Sequence, residues 1–426
     1  MKILLLGAGG FVGRYLLADL LAAGHEVTGI VRQEKGLGDA FPKANIRSLD
    51  LDNMTDSTRW SAYLHEIDMV INAAGILRGP SMQAIHVEMP KALHVACEKA
   101  GVQHVLLISA ISAREDVDSD YSQSKLAGEA SLKQSSLHWT ILRPSLIYGE
   151  GSYGGTSLMR GMSALPFVIP LPVDGDYLFT PIHVEDLART VSEICGRTTG
   201  ENVVLEPVGP DTISLRSLLQ RYRRWLNFPE ARFLSIPMPL MRFLGRVGDF
   251  FGTGPISSNS LKQMVAGNAG DSAKFENQIG FQPRSLDQAL NNHPAQVQDR
   301  WHARLFFVAP ALKAVLVTLW LASALLGIFF GETQTIAFLD RFDLSRELAW
   351  PIQTGTCLLD LVVAALLLFE KGTKWSTLIQ LLVVGGYTLI IGIALPQLWL
   401  DPLGPLLKNL PIIMAILVYG VIGDKR

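Results

Sequence analysis

The stretch Ile3-Leu4-Leu5-Leu6-Gly7-Ala8-Gly9-Gly10-Phe11-Val12-Gly13 decides how the chain folds. Four apolar residues have the length of a buried strand. The glycines then open a pattern in which Phe11, Leu16, Leu17, Leu20 and Leu21 share a helix face and Arg14 and Asp19 are left for solvent. Strand, glycine turn and helix N-terminus, in that order, make a phosphate site. Glycine lets the backbone approach a pyrophosphate, whose charge faces the unpaired N–H groups and positive end of the helix. Lys2 ahead of the run does not make it a signal peptide, because glycines and Arg14 interrupt it before an apolar segment of about 7–15 residues forms.

Val27 to Val31 reads as the next strand, after the helix stop Ala22-Ala23-Gly24. An acid about 20 residues beyond the glycines would bind a ribose 2′-hydroxyl, but the chain offers Arg32 there, which favours a 2′-phosphate and hence NADPH over NADH. Nearby Glu34 leaves an unphosphorylated ribose open.

Ile46 to Leu49, leading into Asp50-Leu51-Asp52, and Met69 to Asn72, ending Asn72-Ala73-Ala74-Gly75, read as strands three and four. Val105 to Ile108 is the fifth, ending at Ser109 with Ser112 behind it. Helical patterns fill Ser57 to His65 and Met82 to Ala100. This alternation predicts an α/β fold with a doubly wound parallel sheet and ligands at the carboxyl ends of the strands. Asp50, Asn72 and Ser109 are also residue types that cap loops.

Tyr121 and Lys125, four apart ahead of Leu126-Ala127-Gly128-Glu129-Ala130, fall on one helix face. A phenol with an ordinary pKa of about 10 is a poor acid–base group at neutral pH, and a neighbouring ammonium favours its ionised form. Hydroxyl, phenol and ammonium together suit binding a carbonyl and passing it a proton.

Taken in order, Gly7-x-x-Gly10-x-x-Gly13, Asp50-Leu51, Asn72-Ala73-Ala74-Gly75, Ser109 and Tyr121-x-x-x-Lys125 resemble the short-chain dehydrogenase/reductase superfamily, with its Rossmann-type domain. Arg143-Pro144-Ser145-Leu146-Ile147-Tyr148-Gly149 and Pro181-Ile182-His183-Val184-Glu185-Asp186 resemble its extended and atypical branches, and the whole is similar to the group around the nucleotide-binding accessory subunit of respiratory complex I. The resemblance covers roughly residues 1–290. It implies that Gly7, Gly9, Gly10, Phe11, Val12 and Gly13 border the cofactor, Asp50 and Leu51 its adenine, and Ala73, Ala74, Gly75 and Pro144 the rest of its length. It implies Tyr121 as proton donor, Lys125 on the nicotinamide ribose, and Ser109 on the substrate oxygen. Ala110 and Ile111 interrupt the family's denser hydroxyl cluster, so Ser109 and Ser112 both stay open for that role. A non-catalytic nucleotide-binding assembly protein and a sugar-nucleotide epimerase or dehydratase are the rival readings.

Residues 152–296 alternate short apolar pieces with Pro and Gly breaks and resemble the small substrate lobe of the extended branch, closing a domain of 1–296. Within it, Pro237 to Val247 carries bulky apolar groups with Arg242 and Arg246, and continues to Phe250 and Phe251. Amphipathic helices mostly bury their apolar face in protein, so packing on the main domain is expected here ahead of contact with lipid.

From residue 305 to 426 the composition changes. Leu305 to Phe330, Trp350 to Phe369, Trp375 to Leu395 and Leu403 to Ile422 are each about 20 residues and mainly apolar, enough for four membrane spans. The stretch from Trp399 to Pro411 resembles the DoxX-like family of small four-span membrane proteins. Lys371 and Lys374 between spans two and three, and the closing Lys425-Arg426, put the termini in the cytoplasm by the positive-inside rule, with Arg341 and Arg346 counting against it, and the expected location is the inner membrane. Asp360, near mid-span, is expected to pair with Lys408 and Asn409, while Lys313 lies nearer the inner face.

A formal net charge of −2 over 426 residues, with no basic tract, excludes electrostatic capture of nucleic acid. Cys97, Cys195 and Cys357 lie too far apart for metal-ligand spacing. The expected partners are a lipophilic small molecule, membrane lipid and a membrane protein.

Overall fold

A computed structural model describes the chain apart from residues 35, 152–153, 198–201, 252–256, 370–372, 403 and 424–426, and the side chains of 250 and 251. It divides into two compact units, Met1–Ala303 and Arg304–Arg426.

In the first unit, β1 (Lys2–Leu6), β2 (Glu26–Val31), β3 (Asn45–Ser48), β4 (Met69–Asn72), β5 (His104–Ile108) and β6 (His138–Leu142) form a parallel sheet in the order β6-β5-β4-β1-β2-β3. Val203–Leu205 adds a seventh parallel strand beside β6. At three residues it is too short to show a strand pattern, so the sequence rhythm ends earlier than the sheet does. Strand order reverses between β1 and β4, and the crevice at that switch point is where open α/β sheets bind ligands.

All of Ile3 to Leu6 is buried because both faces of the sheet are covered. Ile3 and Leu5 pack with Leu16 and Leu20 of α1 (Phe11–Ala22) on one face, and Leu4 and Leu6 with Trp60 and Leu93 on the other. α2 (Leu37–Ala40) leads into β3, while α3 (Met89–Ala100) and α4 (Asp120–Lys133) complete the main layers. The helix expected over Ser57 to His65 is a 3-10 turn, Ser57–Tyr63, fixed by a bond from Trp60 Nε1 to the Met54 carbonyl (3.1 Å). The helix expected from Met82 opens with a π-helical segment, Ala84–Glu88, that runs straight into α3.

The lobe holds short two-stranded sheets, including Val168–Pro172 paired in parallel with Arg232–Ile236, and the helices Met238–Phe251 and Ser258–Ala266. The His183-Val184-Glu185-Asp186 motif fastens its far end. Arg284 donates to both Asp186 oxygens (3.1 Å each) and to Glu185 (2.6 Å), and its backbone N–H also bonds Asp186. Contrary to the packing expected for it, the apolar stripe of Met238–Phe251 is exposed.

Among the described residues three helices are long and apolar enough to cross a membrane: Val297–Phe330, which begins in the last residues of the first unit, and Arg346–Phe369 and Thr373–Ala394 in the second. The fourth expected span is shorter. Asn409–Ile422 has 14 residues, about 21 Å at 1.5 Å per residue against a hydrocarbon core of about 30 Å. Pro402, Gly404 (φ +58°) and Pro405 hold the preceding residues in turns. Leu316, Trp320, Val363, Leu367, Val384 and Ile416 form the core. The expected Asp360–Lys408 pair does not form. Asp360 accepts hydrogen bonds from Ser323 Oγ (2.6 Å) and Tyr387 OH (3.3 Å), and Asn409 donates to Thr388 Oγ1 (2.8 Å). Lys408 lies in an exposed turn ahead of the last helix. Of the charges used for orientation, Lys371, Lys425 and Arg426 lie outside the described residues, as does the Leu403 start of the last span.

Candidate functional site

The glycine turn occupies the switch point. Gly7 follows β1 with φ +78°, and a Cβ there would stand 3.0 Å from the Ala73 carbonyl oxygen, so the turns after β1 and β4 are in contact only because residue 7 has no side chain. A Cβ on Gly13 would stand 2.0 Å from the Gly7 oxygen, which makes glycine obligatory where α1 crosses its own entry turn. Gly10 is the N-cap of α1 and supplies no side-chain cap, leaving the first amides for a ligand. Gly9 lies over Val31 at the end of β2, Phe11 packs on Gly149, and Val12 packs against the core.

Arg32 follows β2, has a 66% exposed side chain and makes a 3.7 Å ion pair with Asp52. Asp50 caps the short turn Leu51–Asn53, accepting from the Asp52 amide (3.4 Å) and Asn53 Nδ2 (2.9 Å), and Leu51 packs into the core. After β4, the buried Asn72 side chain accepts from the Ala74 amide (3.1 Å) and so shapes the turn through Ala73, Ala74 and Gly75. Pro144 follows β6 and accepts a bond from the Ile111 amide (3.0 Å).

Tyr121 and Lys125 project from the first turns of α4. Lys125 is buried, donates to the Ile108 carbonyl at the end of β5 (3.0 Å), and lies 3.1 Å from where a Cβ on Gly75 would be. Burial pushes its pKa down to about 8, opposed by the charge of Glu129. The half-buried Tyr121 ring meets the His86 ring edge-on at 5.6 Å, and burial pushes its phenol up to about 12.

Ser109 is placed differently from what a substrate ligand needs. Its hydroxyl donates to Glu129 Oε1 (2.6 Å), a fully buried carboxylate that also takes two bonds from Arg143 (2.8 and 2.6 Å) and one from Lys133 (3.1 Å). Burial alone would raise the Glu129 pKa, but the bonds from Arg143 and Ser109 outweigh it and hold the group below the usual range. With its proton spent inward, Ser109 fastens β5 to α4. Ser112, the other residue of this strand end, is buried nearby in sequence with no such commitment to Glu129.

Comparison with known proteins agrees with this fold. Residues 7–165 match the NAD(P)H-binding family model and residues 317–417 match the DoxX-like family model. The chain joins an NAD(P)H-binding Rossmann domain to a DoxX-like domain. The Rossmann part is similar to the ceramide reductase of Caulobacter vibrioides, at 26% identity over 57% of this chain and 76% of that one. It is also similar to the mitochondrial NADH dehydrogenase (ubiquinone) 1 alpha subcomplex subunit 9 of Dictyostelium discoideum, at 27% identity over 49% of this chain and 59% of that one. The chain thus spans about three quarters of the first relative and three fifths of the second. The UDP-glucuronic acid 4-epimerase of Bacillus cereus, solved with UDP-glucuronic acid and NAD, shares the fold with a TM-score of 0.54 at 18% identity, over 71% of this chain and 99% of that one.

One residue of the Rossmann site carried no sequence signal. His86 lies on the π-helical segment, accepts from the Ile76 amide at Nε2 (3.1 Å) and must therefore carry its proton on Nδ1, which donates to Ser124 Oγ (2.9 Å). Ser124 in turn donates to the Tyr121 carbonyl (2.9 Å). Burial, and then the charge of Lys125, lower the His86 pKa to about 3, so a neutral imidazole of fixed tautomer backs the Tyr121 ring. A π-bulge beside a reactive group is a recurring functional device, but a period of 4.4 residues confined to five residues cannot be read from an apolar pattern.

Proposed function

We propose that this chain is a membrane-anchored, NAD(P)-dependent oxidoreductase acting on a lipophilic carbonyl or quinone-like compound. The observation that carries the reading is the placement of Tyr121 and Lys125 on one face of α4, with Lys125 bonded at the end of β5 and against Gly75 of the switch-point crevice. The residues present fit a dinucleotide: the uncapped start of α1 and the cradle of Gly7, Gly9, Gly10 and Gly13 suit its pyrophosphate, and Arg32 suits the 2′-phosphate of NADPH. When bound, the nicotinamide supplies a hydride.

The chain's own residues supply the proton. A phenol that burial pushes up to about 12 stays protonated near neutrality, so Tyr121 has a proton to give to a carbonyl oxygen. Lys125 adds positive charge beside the same crevice, and Ser112 is the hydroxyl left to hold the substrate oxygen. Ceramide reductase, among the relatives, is named for reduction of a lipid.

A second reading is favoured by the commitment of Ser109 to Glu129: a nucleotide-binding assembly protein without turnover, in line with the NADH dehydrogenase subunit among the relatives. Tyr121→Phe separates the two. With NADPH and lipophilic carbonyl or quinone acceptors, the variant is expected to lose about 10²- to 10⁴-fold in turnover, while nucleotide affinity, read by quenching of protein fluorescence, stays within about threefold. Wild-type protein that binds NADPH yet turns over none of these acceptors would favour the assembly reading. A cytoplasmic catalytic domain on an inner membrane completes the proposal, and protease protection in oriented vesicles tests it.

A further inference from the structure

The helix Met238–Phe251 is oriented the wrong way round for a lobe surrounded by water. Its buried side is the small one: a Cβ on Gly245 would stand 3.2 Å from the Ser258 amide nitrogen, so Gly245 is what seats this helix on Ser258–Ala266. Leu240, Phe243, Leu244 and Val247, spaced i, i+3, i+4 and i+7, form an apolar stripe that is left open, with Phe243 60% exposed. Arg242 and Arg246, one turn apart, are exposed on the same helix. Asp249, the acid of this helix, is spent on capping the Ser258 amide (3.1 Å).

A second set of exposed apolar residues lies on the strand that precedes the helix in sequence. Arg232–Ile236 pairs in parallel with Val168–Pro172, Arg232 opposite Val168, so Val168, Arg232 and Leu234 share one face of that two-stranded sheet. Val168 and Leu234 are exposed, and Phe167, just before Val168, is 80% exposed.

We infer that this face docks on the surface of an anionic lipid bilayer, with Leu240, Phe243, Leu244 and Val247 in the headgroup–acyl boundary and Arg242 and Arg246 on lipid phosphates. An exposed apolar stripe on a helix whose other face carries arginine is the composition of an interfacial helix, which sinks about 5–10 Å into that boundary. Covalent continuity supplies the bilayer, since the chain that carries the stripe also carries apolar helices long enough to cross a membrane. With Asp249 spent on Ser258, Arg242 and Arg246 leave the helix with exposed positive charge, which suits anionic lipid. The docked element also stands one helix from Tyr121. Asn259 exchanges two hydrogen bonds with Asp120, at 3.2 and 3.1 Å, and Lys262 pairs with Asp118 at 3.0 Å, all at the start of α4.

The test reads depth and needs no turnover, so its failure is distinct from failure of the oxidoreductase reading. Cys97, Cys195 and Cys357 are buried, which leaves an added surface thiol as the reactive one. The full chain carrying Phe243→Cys, labelled with bimane, is reconstituted into phosphatidylcholine vesicles with and without phosphatidylglycerol, using acyl-brominated lipid as quencher. Expected is about a twofold or greater loss of bimane emission when phosphatidylglycerol is present, much of it abolished by Arg242→Glu with Arg246→Glu. The same label at Lys43→Cys should stay bright. No quenching at position 243, quenching equal at 43, or quenching indifferent to both the arginines and the anionic lipid would overturn the inference.

Discussion

A methyl group at position 13 would stand 2.0 Å from the Gly7 oxygen, closer than any relaxed contact allows. Gly13→Ala therefore has to push α1 off the glycine turn, an overpacking cost of about 1–3 kcal/mol. Because the displaced atoms are the amides at the start of α1, the expected loss is in nucleotide affinity, about tenfold or more, measurable by titrating NADPH against protein fluorescence. In the proposed reading Arg32 meets the other end of the same ligand. Its ion pair with Asp52 is long and its own side chain is largely exposed, so the guanidinium is free to turn toward a 2′-phosphate, leaving behind the buried Asp52 Oδ1, which has no hydrogen-bond partner among the described residues. Arg32→Asp is expected to weaken NADPH about tenfold or more while leaving NADH within about threefold, since NADH has no phosphate there for the new carboxylate to repel. Equal effects on both nucleotides would remove Arg32 from the site. Glu129 is the residue whose loss should cost most in stability. Glu129→Ala leaves Arg143 without its bidentate partner and Ser109 without an acceptor, and breaking such a buried pair typically costs about 3–5 kcal/mol. Thermal unfolding of the variant should show it as a fall in midpoint.

At the level of elements, β1, α1, β2, β4 and β5 were legible in the chain because each is an apolar run or stripe of clear period closed by glycine or a polar turn residue. The positions brought to the switch point, Gly7 to Gly13 and Ala73 to Gly75, follow from that pattern. What the sequence hid has physical causes. Ser109 reads in sequence as a substrate ligand or a loop cap, and only the packing of α4 on β5 shows that its hydroxyl bonds Glu129. The π-helical turn at Ala84–Glu88 and the exposed stripe of Met238–Phe251 were hidden for a related reason: periodicity reports that a face is apolar, not what covers it. The π turn also depends on its neighbour. A Cβ on Gly128 would lie 2.2 Å from the His86 carbonyl oxygen, so α4 approaches the widened turn only through glycine. Gly128→Ala should separate the two elements and move His86 off the Tyr121 ring, lowering turnover in the reaction proposed above while NADPH affinity changes little. A variant with both unchanged would show that the contact positions nothing.

For the first unit as a whole, a common feature is histidine held neutral by burial. His86 is lowered to about 3, and His94, His104 and His183 to about 4, in each case chiefly because the surroundings disfavour the charged ring. An unfolded chain binds these protons near pH 6.5, whereas the folded one does not until about pH 4 or below. The unfolded state therefore holds more protons throughout that window, and stability falls as pH drops through it, by about 1.4 kcal/mol per pH unit for each histidine fully engaged. Glu129, held below the usual carboxylate range, pushes the same way at the acid end. The full chain in detergent should accordingly lose tertiary near-ultraviolet dichroism at a lower temperature at pH 5 than at pH 7. His94 offers the sharper check, because its Nδ1 is paired with Ser131 Oγ at 3.0 Å while its buried Nε2 has no partner among the described residues. Removing the ring removes one proton from the unfolded side of the balance. His94→Leu should then raise the midpoint at pH 5 relative to wild type by more than it does at pH 7, and a shift equal at both pH values would show that the ring's burial contributes nothing to the acid sensitivity.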